Sequence, residues 1–375
     1  MYRSGTSIHD LQRGHFAVTR PVGVSTLMMA LWMTTSSPPD TTTLARHTGQ
    51  VIGGLGGGAM SANYTFPIGF VKHMDFNGIG CPGSGRDRSF SGRLAAHRNR
   101  GVSWRPLMSD RVTVTVTDGV ADVRLNRPDK LNALDRAMFE ALVATGTRLA
   151  EERSLRAVVL SGNGRGFCAG LDFPSFAAET AAGRPAGSLL RRAEGDVANF
   201  AQQAVHVWTR LPVPVVAAVH GVAFGGGLQL ALGADIRFVA PDAQLSVMEI
   251  KWGLVPDMTG TQTLRHLARL DVFKELVFTG RIVSGSEAVG LGLATHVSDA
   301  PLDAALALAR EIAARSPDAI RAAKRLLDAA VTSTLEDGLR LEESTQRSVL
   351  GGANRAEAVR ANFEKRAPKF QDPPR

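Results

Sequence analysis

Hydrophobic and polar residues alternate strictly over residues 111–117, which is the first regular pattern in the chain. A second run with mostly alternating character covers residues 120–125. Alternation with a period of two is typical of strands that bury one face. Asp118 and Gly119 separate the two runs and favour a tight turn. We therefore predict that the two runs pair as a β-hairpin.

A helical period follows the hairpin. Residues 135–152 predict an amphipathic helix, because their apolar positions recur at spacings that share one face. These positions are Met138, Leu142, Thr145 and Leu149. Uninterrupted apolar runs at residues 157–160 and 215–219 are typical of strands buried on both faces of a sheet. Since helix follows strand repeatedly, the pattern predicts an α/β core.

The C-terminal part of the chain predicts helices only. Residues 302–366 contain four consecutive helical stretches. The breaks between them fall near Ser316 and Pro317, at Ser333, and at Gly351 and Gly352. We therefore divide the folded part into a core over residues 108–300 and a helical region over residues 301–375. We expect the helical region to act as a separate packing or oligomerisation element.

Residues 1–107 have a different composition from the rest of the chain. They are rich in Ser, Thr, Gly, Arg and Pro, show no sustained period and do not predict a folded domain. Three interpretations are open: an Arg-rich targeting leader, a secretory signal with residues 22–33 as its apolar core, and upstream sequence included by a wrong start codon. The third is favoured because Met108 directly precedes the first convincing strand.

The net charge of +8 belongs to this N-terminal part. It holds 11 of the 43 Lys and Arg residues and 4 of the 35 acidic residues, so the remaining 32 basic and 31 acidic residues nearly balance. A nearly neutral body gives no reason to expect nucleic acid binding. No apolar run reaches the length of a membrane-spanning helix, so we expect no membrane partner. Cys81 and Cys168 are too few for a disulfide framework or a zinc site, which favours a reducing, cytoplasmic location and no metal.

Two glycine-rich segments leave buried strands and lead into helices. They cover residues 162–172 and 219–230, and the second contains Gly225, Gly226 and Gly227. Free backbone amides and the positive end of a helix dipole would meet at such turns, which suits a phosphate, a carboxylate or an enolate oxygen. The alternative is structural, since glycine simply permits a positive φ. The spacing does not match a dinucleotide fingerprint or a P-loop.

Four side chains near these segments are candidates for chemistry. Glu249 lies in an apolar stretch, where a carboxylate is costly to bury without a partner or a purpose, and Asp257 follows eight residues later. Both could transfer protons, but Glu249 could instead pair with an arginine and Asp257 could cap a helix. For His220 and Cys168 the structural alternatives are favoured, a satisfied core histidine and a small buried residue.

Together these segments resemble the enoyl-CoA hydratase/isomerase, or crotonase, superfamily over residues 111–366. The segments that carry the resemblance are 126–134, 167–172, 214–227, 253–256 and 278–282. The resemblance implies an α/β fold, a crotonase-like spiral of ββα units with a C-terminal helical trimerisation region. It also implies a homotrimer or dimer of trimers, an acyl-CoA thioester substrate, and no cofactor apart from the CoA of the substrate.

The resemblance further implies roles for individual residues. The backbone N–H groups of Leu171 and Gly226 form an oxyanion hole for the thioester enolate, and Arg127 or Lys130 pairs with CoA phosphate. The positions expected to contact CoA or the substrate are Arg127, Lys130, Leu131, Ala169, Gly170, Asp172 and Gly225. Losing one oxyanion-hole donor typically costs about 2.7 to 4 kcal/mol of transition-state stabilisation.

Three positions bear on the reaction. Family hydratases use one glutamate at the position of Glu249 and a second where this chain has Gln229, and an amide cannot exchange protons as hydration requires. Isomerisation needs only one well-placed carboxylate, and the family's dienoyl-CoA isomerases add an aspartate at the position of Asp257. We therefore expect double-bond isomerisation of an enoyl- or dienoyl-CoA in fatty acid metabolism. The alternatives are hydration, thioester hydrolysis, decarboxylation or dehalogenation, and a non-catalytic protein that binds acyl-CoA or RNA.

Overall fold

The computed structural model describes residues 110–373. The interpretations offered for residues 1–107 lie outside the described residues. The predicted hairpin is confirmed: strand β1 (Val112–Thr117) pairs antiparallel with β2 (Val120–Leu125). Asp118 and Gly119 both have a positive φ, of 51° and 80°, as a two-residue turn that matches the strand twist requires.

The hairpin forms one edge of a six-stranded sheet. Its other strands are β3 (Ala157–Gly162), β4 (Val215–Val219), β6 (Ile236–Val239) and β9 (His296–Val297), in the order β1-β2-β3-β4-β6-β9. From β2 onward all neighbours are parallel. β4 is buried at every position, which confirms that its apolar run reflects a strand covered on both faces.

A second, smaller sheet contains β5 (Val222–Phe224), β7 (Gln244–Ser246) and β8 (Val283–Ser284). An isolated parallel bridge from Cys168 to Ala223 adds the segment after β3 to this sheet. Each turn of the chain thus gives one strand to the large sheet, one extended segment to the small sheet, and then a helix. This arrangement is the predicted spiral of ββα units.

The helices occupy most of the remaining described chain. In order they are α1 (Arg136–Glu151), α2 (Phe173–Ala181), α3 (Phe200–Thr209), α4 (Gly226–Leu232), α5 (Gly260–Leu264), α6 (Leu270–Thr279), α7 (Gly285–Gly290), α8 (Pro301–Ala313), α9 (Pro317–Ala330), α10 (Leu335–Leu350) and α11 (Ala353–Phe363). Short 3₁₀ helices span Pro128–Lys130, Ala186–Leu190 and Met248–Trp252. No helix within residues 110–373 is long and apolar enough to cross a membrane.

The predicted helix over residues 135–152 and its inner face are confirmed in α1. Asp135 caps the helix by accepting a 2.8 Å hydrogen bond from the backbone N–H of Met138. The four residues predicted to share its inner face are all buried. Met138, Leu142 and Leu149 belong to the main core cluster, which also contains residues of β3, β4 and α3.

The four C-terminal helices are present, but the boundary predicted at residue 301 does not separate α8 from the core. Ala305 and Ala309 of α8 are fully buried and pack against Val159 and Ala218 of the large sheet. Small alanine side chains on that face let the helix approach the strands closely. α9 is joined to the segments before β3 and β6 by Arg321, which donates to Leu155 O at 3.0 Å, and by Lys324, which forms an ion pair with Asp235.

Candidate active site

Two backbone amides without acceptors lie side by side where the two glycine-rich segments meet. Leu134 N–H donates to Gly170 O at 2.7 Å, and Asp172 N–H donates to Leu134 O at 3.0 Å. These two hydrogen bonds form a parallel bridge between Leu134 and Leu171. In such a bridge the N–H group of Leu171 itself points away from Leu134. Gly226 is the first residue of α4, where amides have no intrahelical acceptor. Neither N–H has an acceptor elsewhere in the described range.

Glycine is required where these segments touch. Gly170 has a φ of +86°, and a Cβ at this position would lie 2.6 Å from Phe224 O and 3.7 Å from Gly226 N. A Cβ on Gly227 would lie 2.4 Å from Cys168 O. Side chains here would push the two segments apart. The structure thus brings the predicted pair of donors, Leu171 and Gly226, to one place.

Glu249 lies directly beside the glycine triplet. It belongs to the 3₁₀ helix Met248–Trp252 and is only 8% exposed. A Cβ on Gly225 would lie 3.3 Å from Glu249 Oε1, so the glycine at this position makes room for the carboxylate. Glu249 Oε2 is buried and has no hydrogen-bond partner. An unpartnered carboxylate oxygen next to two free amides is the arrangement that proton abstraction beside an oxyanion requires.

The electrostatics of Glu249 suit a base. Burial raises the pKa of its carboxyl above the usual range, because desolvation disfavours the charged form. A hydrogen bond from Gln229 acts in the opposite direction, and the negative charge of Asp257 raises the pKa further. The sequence-based alternative of an arginine partner is not realised, since the hydrogen-bond partner is the amide of Gln229.

Gln229 connects three parts of the site. Its Nε2 donates to Glu249 Oε1 at 2.6 Å, and its Oε1 accepts from the backbone N–H groups of Met258 at 2.8 Å and Gly260 at 2.9 Å. Because backbone N–H groups can only donate, they fix the orientation of the amide, and the NH₂ group must face Glu249. Gln229 is 1% exposed. Its hydrogen bonds hold Glu249 on one side and the loop that carries Asp257 on the other.

The negative charge of Asp257 acts on Glu249 and raises the pKa of the glutamate carboxyl. Asp257 is exposed, yet desolvation by its surroundings raises the pKa of its own carboxyl. It does not cap α5, because the N-cap residue is Thr259, which has a φ of +69° and makes no side-chain capping hydrogen bond. The helix-capping alternative for Asp257 is therefore wrong, and its carboxylate remains available to a ligand.

Most of the predicted CoA-binding positions bond to other residues of the chain, whereas the side chain of Lys130 does not within residues 110–373. Arg127 forms a 2.6 Å ion pair with Asp172, and Asp172 also accepts from Ser175 N–H as the N-cap of α2. These two residues therefore tie the 126–134 segment to α2. Lys130 is exposed and unpaired within residues 110–373. Leu131, with a φ of +48°, accepts a 2.9 Å hydrogen bond from Ala169 N–H and so supports the first glycine-rich segment.

Cys168 has the structural role that the sequence favours, whereas His220 is hydrogen-bonded as predicted but does not lie in the core. Cys168 is fully buried, its Sγ donates to Asn132 O at 3.1 Å, and burial raises the pKa of its thiol to about 12. Such a thiol is not ionised at neutral pH and cannot act as a nucleophile. His220 is half-buried, and its Nε2 lies 2.9 Å from Gly164 O.

An aromatic contact beside the site escapes sequence analysis. The ring centroids of Phe173 and Trp252 are 4.4 Å apart. Phe173 is at the start of α2, and Trp252 is at the end of the 3₁₀ helix that carries Glu249. Phe173 also lines a cavity of about 270 Å³ together with Leu171 and Phe176. No local pattern pairs these positions, because the contact depends on the crossing of two elements about 80 residues apart in sequence.

Comparison with known proteins agrees with this geometry. Residues 115–373 match the family described as enoyl-CoA hydratase/isomerase. Human mitochondrial enoyl-CoA hydratase domain-containing protein 2 is 34% identical over 262 residues, which cover 67% of this chain and 85% of that protein. Human mitochondrial Delta(3,5)-Delta(2,4)-dienoyl-CoA isomerase is 34% identical over 252 residues, with 65% and 76% coverage. Mouse mitochondrial methylglutaconyl-CoA hydratase is 33% identical over 261 residues, with 68% and 80% coverage.

Solved structures give the same result. The crystal structure of enoyl-CoA hydratase from Bacillus anthracis superimposes with a TM-score of 0.62 at 32% identity, and covers 69% of this chain and 98% of that one. An enoyl-CoA hydratase from Polaromonas superimposes with a TM-score of 0.61 at 27% identity, with 69% and 99% coverage. The family match covers well over half of the chain and agrees with the paired amides and the spiral of ββα units. The chain therefore belongs to the enoyl-CoA hydratase/isomerase, or crotonase, family of acyl-CoA enzymes.

Proposed function

We propose that the protein isomerises a double bond in an enoyl- or dienoyl-CoA. The observation that carries the proposal is the hydrogen-bonding state of Gln229. Its amide oxygen is saturated by two backbone N–H groups and its NH₂ group is directed at Glu249. The amide therefore cannot accept the proton of a water molecule, which leaves Glu249 as the buried carboxylate with an unpartnered oxygen.

The proposed reaction begins at C2 of the acyl group. The thioester oxygen accepts hydrogen bonds from the N–H groups of Leu171 and Gly226, and Glu249 removes a proton from C2. The electron pair of the broken C–H bond delocalises onto the thioester oxygen as an enolate, which the two donors stabilise. Because the enolate is conjugated with the neighbouring double bond, carbon atoms further along the chain become basic.

The proton then returns at a more distant carbon. For a 3-enoyl-CoA it is delivered to C4, and the product is the 2-enoyl-CoA. For a 3,5-dienoyl-CoA it is delivered to C6, and the product is the 2,4-dienoyl-CoA. C6 lies further from C2 than C4 does, so a second acid on another segment is useful. Asp257 supplies it, since the pKa of its carboxyl is raised and its charge is coupled to that of Glu249.

Side-by-side assays of a 3,5-dienoyl-CoA, a 3-enoyl-CoA and a 2-enoyl-CoA test the proposal. We expect turnover of one or both of the first two and slow hydration of the third. Asp257→Asn is expected to affect the dienoyl substrate more than the 3-enoyl substrate. Rapid hydration of the 2-enoyl-CoA without isomerisation of the others would overturn the proposal.

We also propose a binding mode and an assembly. Lys130, exposed on the 3₁₀ helix Pro128–Lys130, is the cation offered to CoA phosphate, because Arg127 is already paired with Asp172. The chain assembles as a homotrimer or a dimer of trimers through its C-terminal helices. This assembly is supported by large exposed apolar side chains on these helices, including Leu327, Leu335, Leu339 and Phe363.

A further inference from the structure

The cavity beside Leu171 is apolar at one end and charged at the other. Leu171, Phe173 and Phe176 line it near the start of α2, while Glu179 and Arg184 line it near the end of that helix. From Phe173 to Thr180, at 1.5 Å per residue, the cavity follows α2 for about 10 Å. Its volume of about 270 Å³ gives room for roughly nine groups the size of a water molecule.

The apolar end borders the proposed thioester site through one residue, Leu171. Leu171 supplies both a free N–H group and a wall of the cavity. An acyl group whose thioester oxygen meets that N–H has room to continue beside Phe173 and Phe176. The ring of Phe173 is supported from the other side by Trp252. The middle of the acyl chain thus meets aromatic surface before it reaches the charged end.

The charged end carries an excess of positive charge. Glu179 Oε2 lies 3.0 Å from Arg136 Nε and 3.0 Å from Arg184 Nε, so one carboxylate is shared by two guanidinium groups. A second nitrogen of Arg136 donates to Ser188 Oγ at 2.8 Å. The terminal nitrogens of Arg184 have no hydrogen-bond partner in the described part of the chain. The planar fork of a guanidinium matches a carboxylate with two parallel hydrogen bonds.

We propose that Arg184 binds a carboxylate at the far end of the acyl group, so that the preferred substrates are CoA thioesters of dicarboxylic acids. This inference rests on the proposed acyl-CoA site and specifies its substrate class. Arg184 is a specificity residue that contacts the substrate but takes no part in the proton transfers. A plain hydrocarbon tail of the same length offers these nitrogens no acceptor, so they would stay bonded to solvent on a side chain that is 50% exposed.

Binding of saturated acyl-CoA esters tests the proposal without any turnover. Calorimetry compares adipyl-CoA with hexanoyl-CoA and suberyl-CoA with octanoyl-CoA. Arg184 is half exposed, so we expect the dicarboxylyl ester of at least one pair to bind roughly fivefold tighter, as for an exposed ion pair. The preference should shrink at high ionic strength. Because no reaction is measured, failure of the isomerase proposal would not affect the result.

Three variants test whether Arg184 is the residue that causes the preference for dicarboxylyl esters. Arg184→Met should remove the preference for the dicarboxylyl ester within each pair. Arg192→Met is the matched control, since Arg192 is an exposed arginine on the same segment that does not line the cavity. Glu179→Gln should strengthen the preference by removing the competing carboxylate, and it tests the proposal even if Arg184→Met fails to fold. Equal affinities within both pairs, or equal losses in the two arginine variants, would overturn it.

Discussion

At the scale of single residues, Glu249 combines burial with an unpartnered oxygen. Replacing it with glutamine preserves the shape of the side chain but removes the carboxylate that accepts and returns the proton. We expect Glu249→Gln to lower kcat by roughly 10²- to 10⁴-fold, the usual contribution of a positioned acid–base group, and to leave the dissociation constant for acyl-CoA nearly unchanged. Glu140→Gln, an exposed position on α1, is the control. Equal activity of the two variants would contradict the assignment.

The pH dependence follows from the direction of the pKa shift. Glu249 must be deprotonated to accept a proton, and burial raises its pKa, so kcat should fall as the pH drops through a value above the ordinary glutamate range. The charge of Asp257 contributes to that rise. Asp257→Asn should therefore lower the pKa of Glu249 and move the acidic limb of the kcat profile to lower pH. A limb that stays in place or moves upward would show that the two carboxylates are not coupled.

At the scale of elements, Gln229 links α4 to the loop before α5. Gln229→Ala leaves the buried N–H groups of Met258 and Gly260 without an acceptor, at a cost of about 1 to 3 kcal/mol each. Chemical denaturation should show a loss of about 2 to 6 kcal/mol in the free energy of unfolding. Gln262→Ala is the control, because Gln262 is exposed and its amide donates only to Thr261. Similar losses in both variants would rule out this role.

The elements themselves are largely predictable from sequence. The period of two at β1 and β2, the apolar face of α1 and the buried run of β4 are local patterns, and the structure confirms each of them. The glycine-rich segments indicate free amides because glycine is needed where backbones approach closely. These features are encoded within a few neighbouring residues.

Other features depend on contacts that no local pattern encodes. Gln229 meets Met258 and Gly260 across 29 and 31 residues, and α8 packs on the sheet instead of joining the helical end. Arg127 is a plausible phosphate ligand by sequence, but the fold brings Asp172 against it from 45 residues away. At the charged end of the cavity, Arg136 likewise contacts Glu179 from 43 residues away.

At the scale of the whole molecule, the C-terminal helices expose apolar side chains that a partner would cover. Leu335 is 80% and Phe363 is 84% exposed. Burying such a side chain stabilises an interface by roughly 1.5 to 3 kcal/mol. We expect light scattering after gel filtration to give three or six chains, and the double variant Leu335→Ser with Phe363→Ser to shift the population to smaller species. Val197→Ser, 81% exposed outside these helices, is the control. A monomeric wild-type protein would contradict the proposed assembly.

In the proposed reaction Glu249 moves a proton along the acyl chain, and no water is added. The most direct test is the mass of the product formed in D₂O from a 3-enoyl-CoA and a 3,5-dienoyl-CoA. We predict products that have the same number of oxygen atoms as the substrate and at most exchanged deuterium, and Glu249→Gln should slow their formation by roughly 10²- to 10⁴-fold. The absence of any product from both substrates, or a product heavier by one molecule of water formed at a comparable rate, would contradict the proposed reaction.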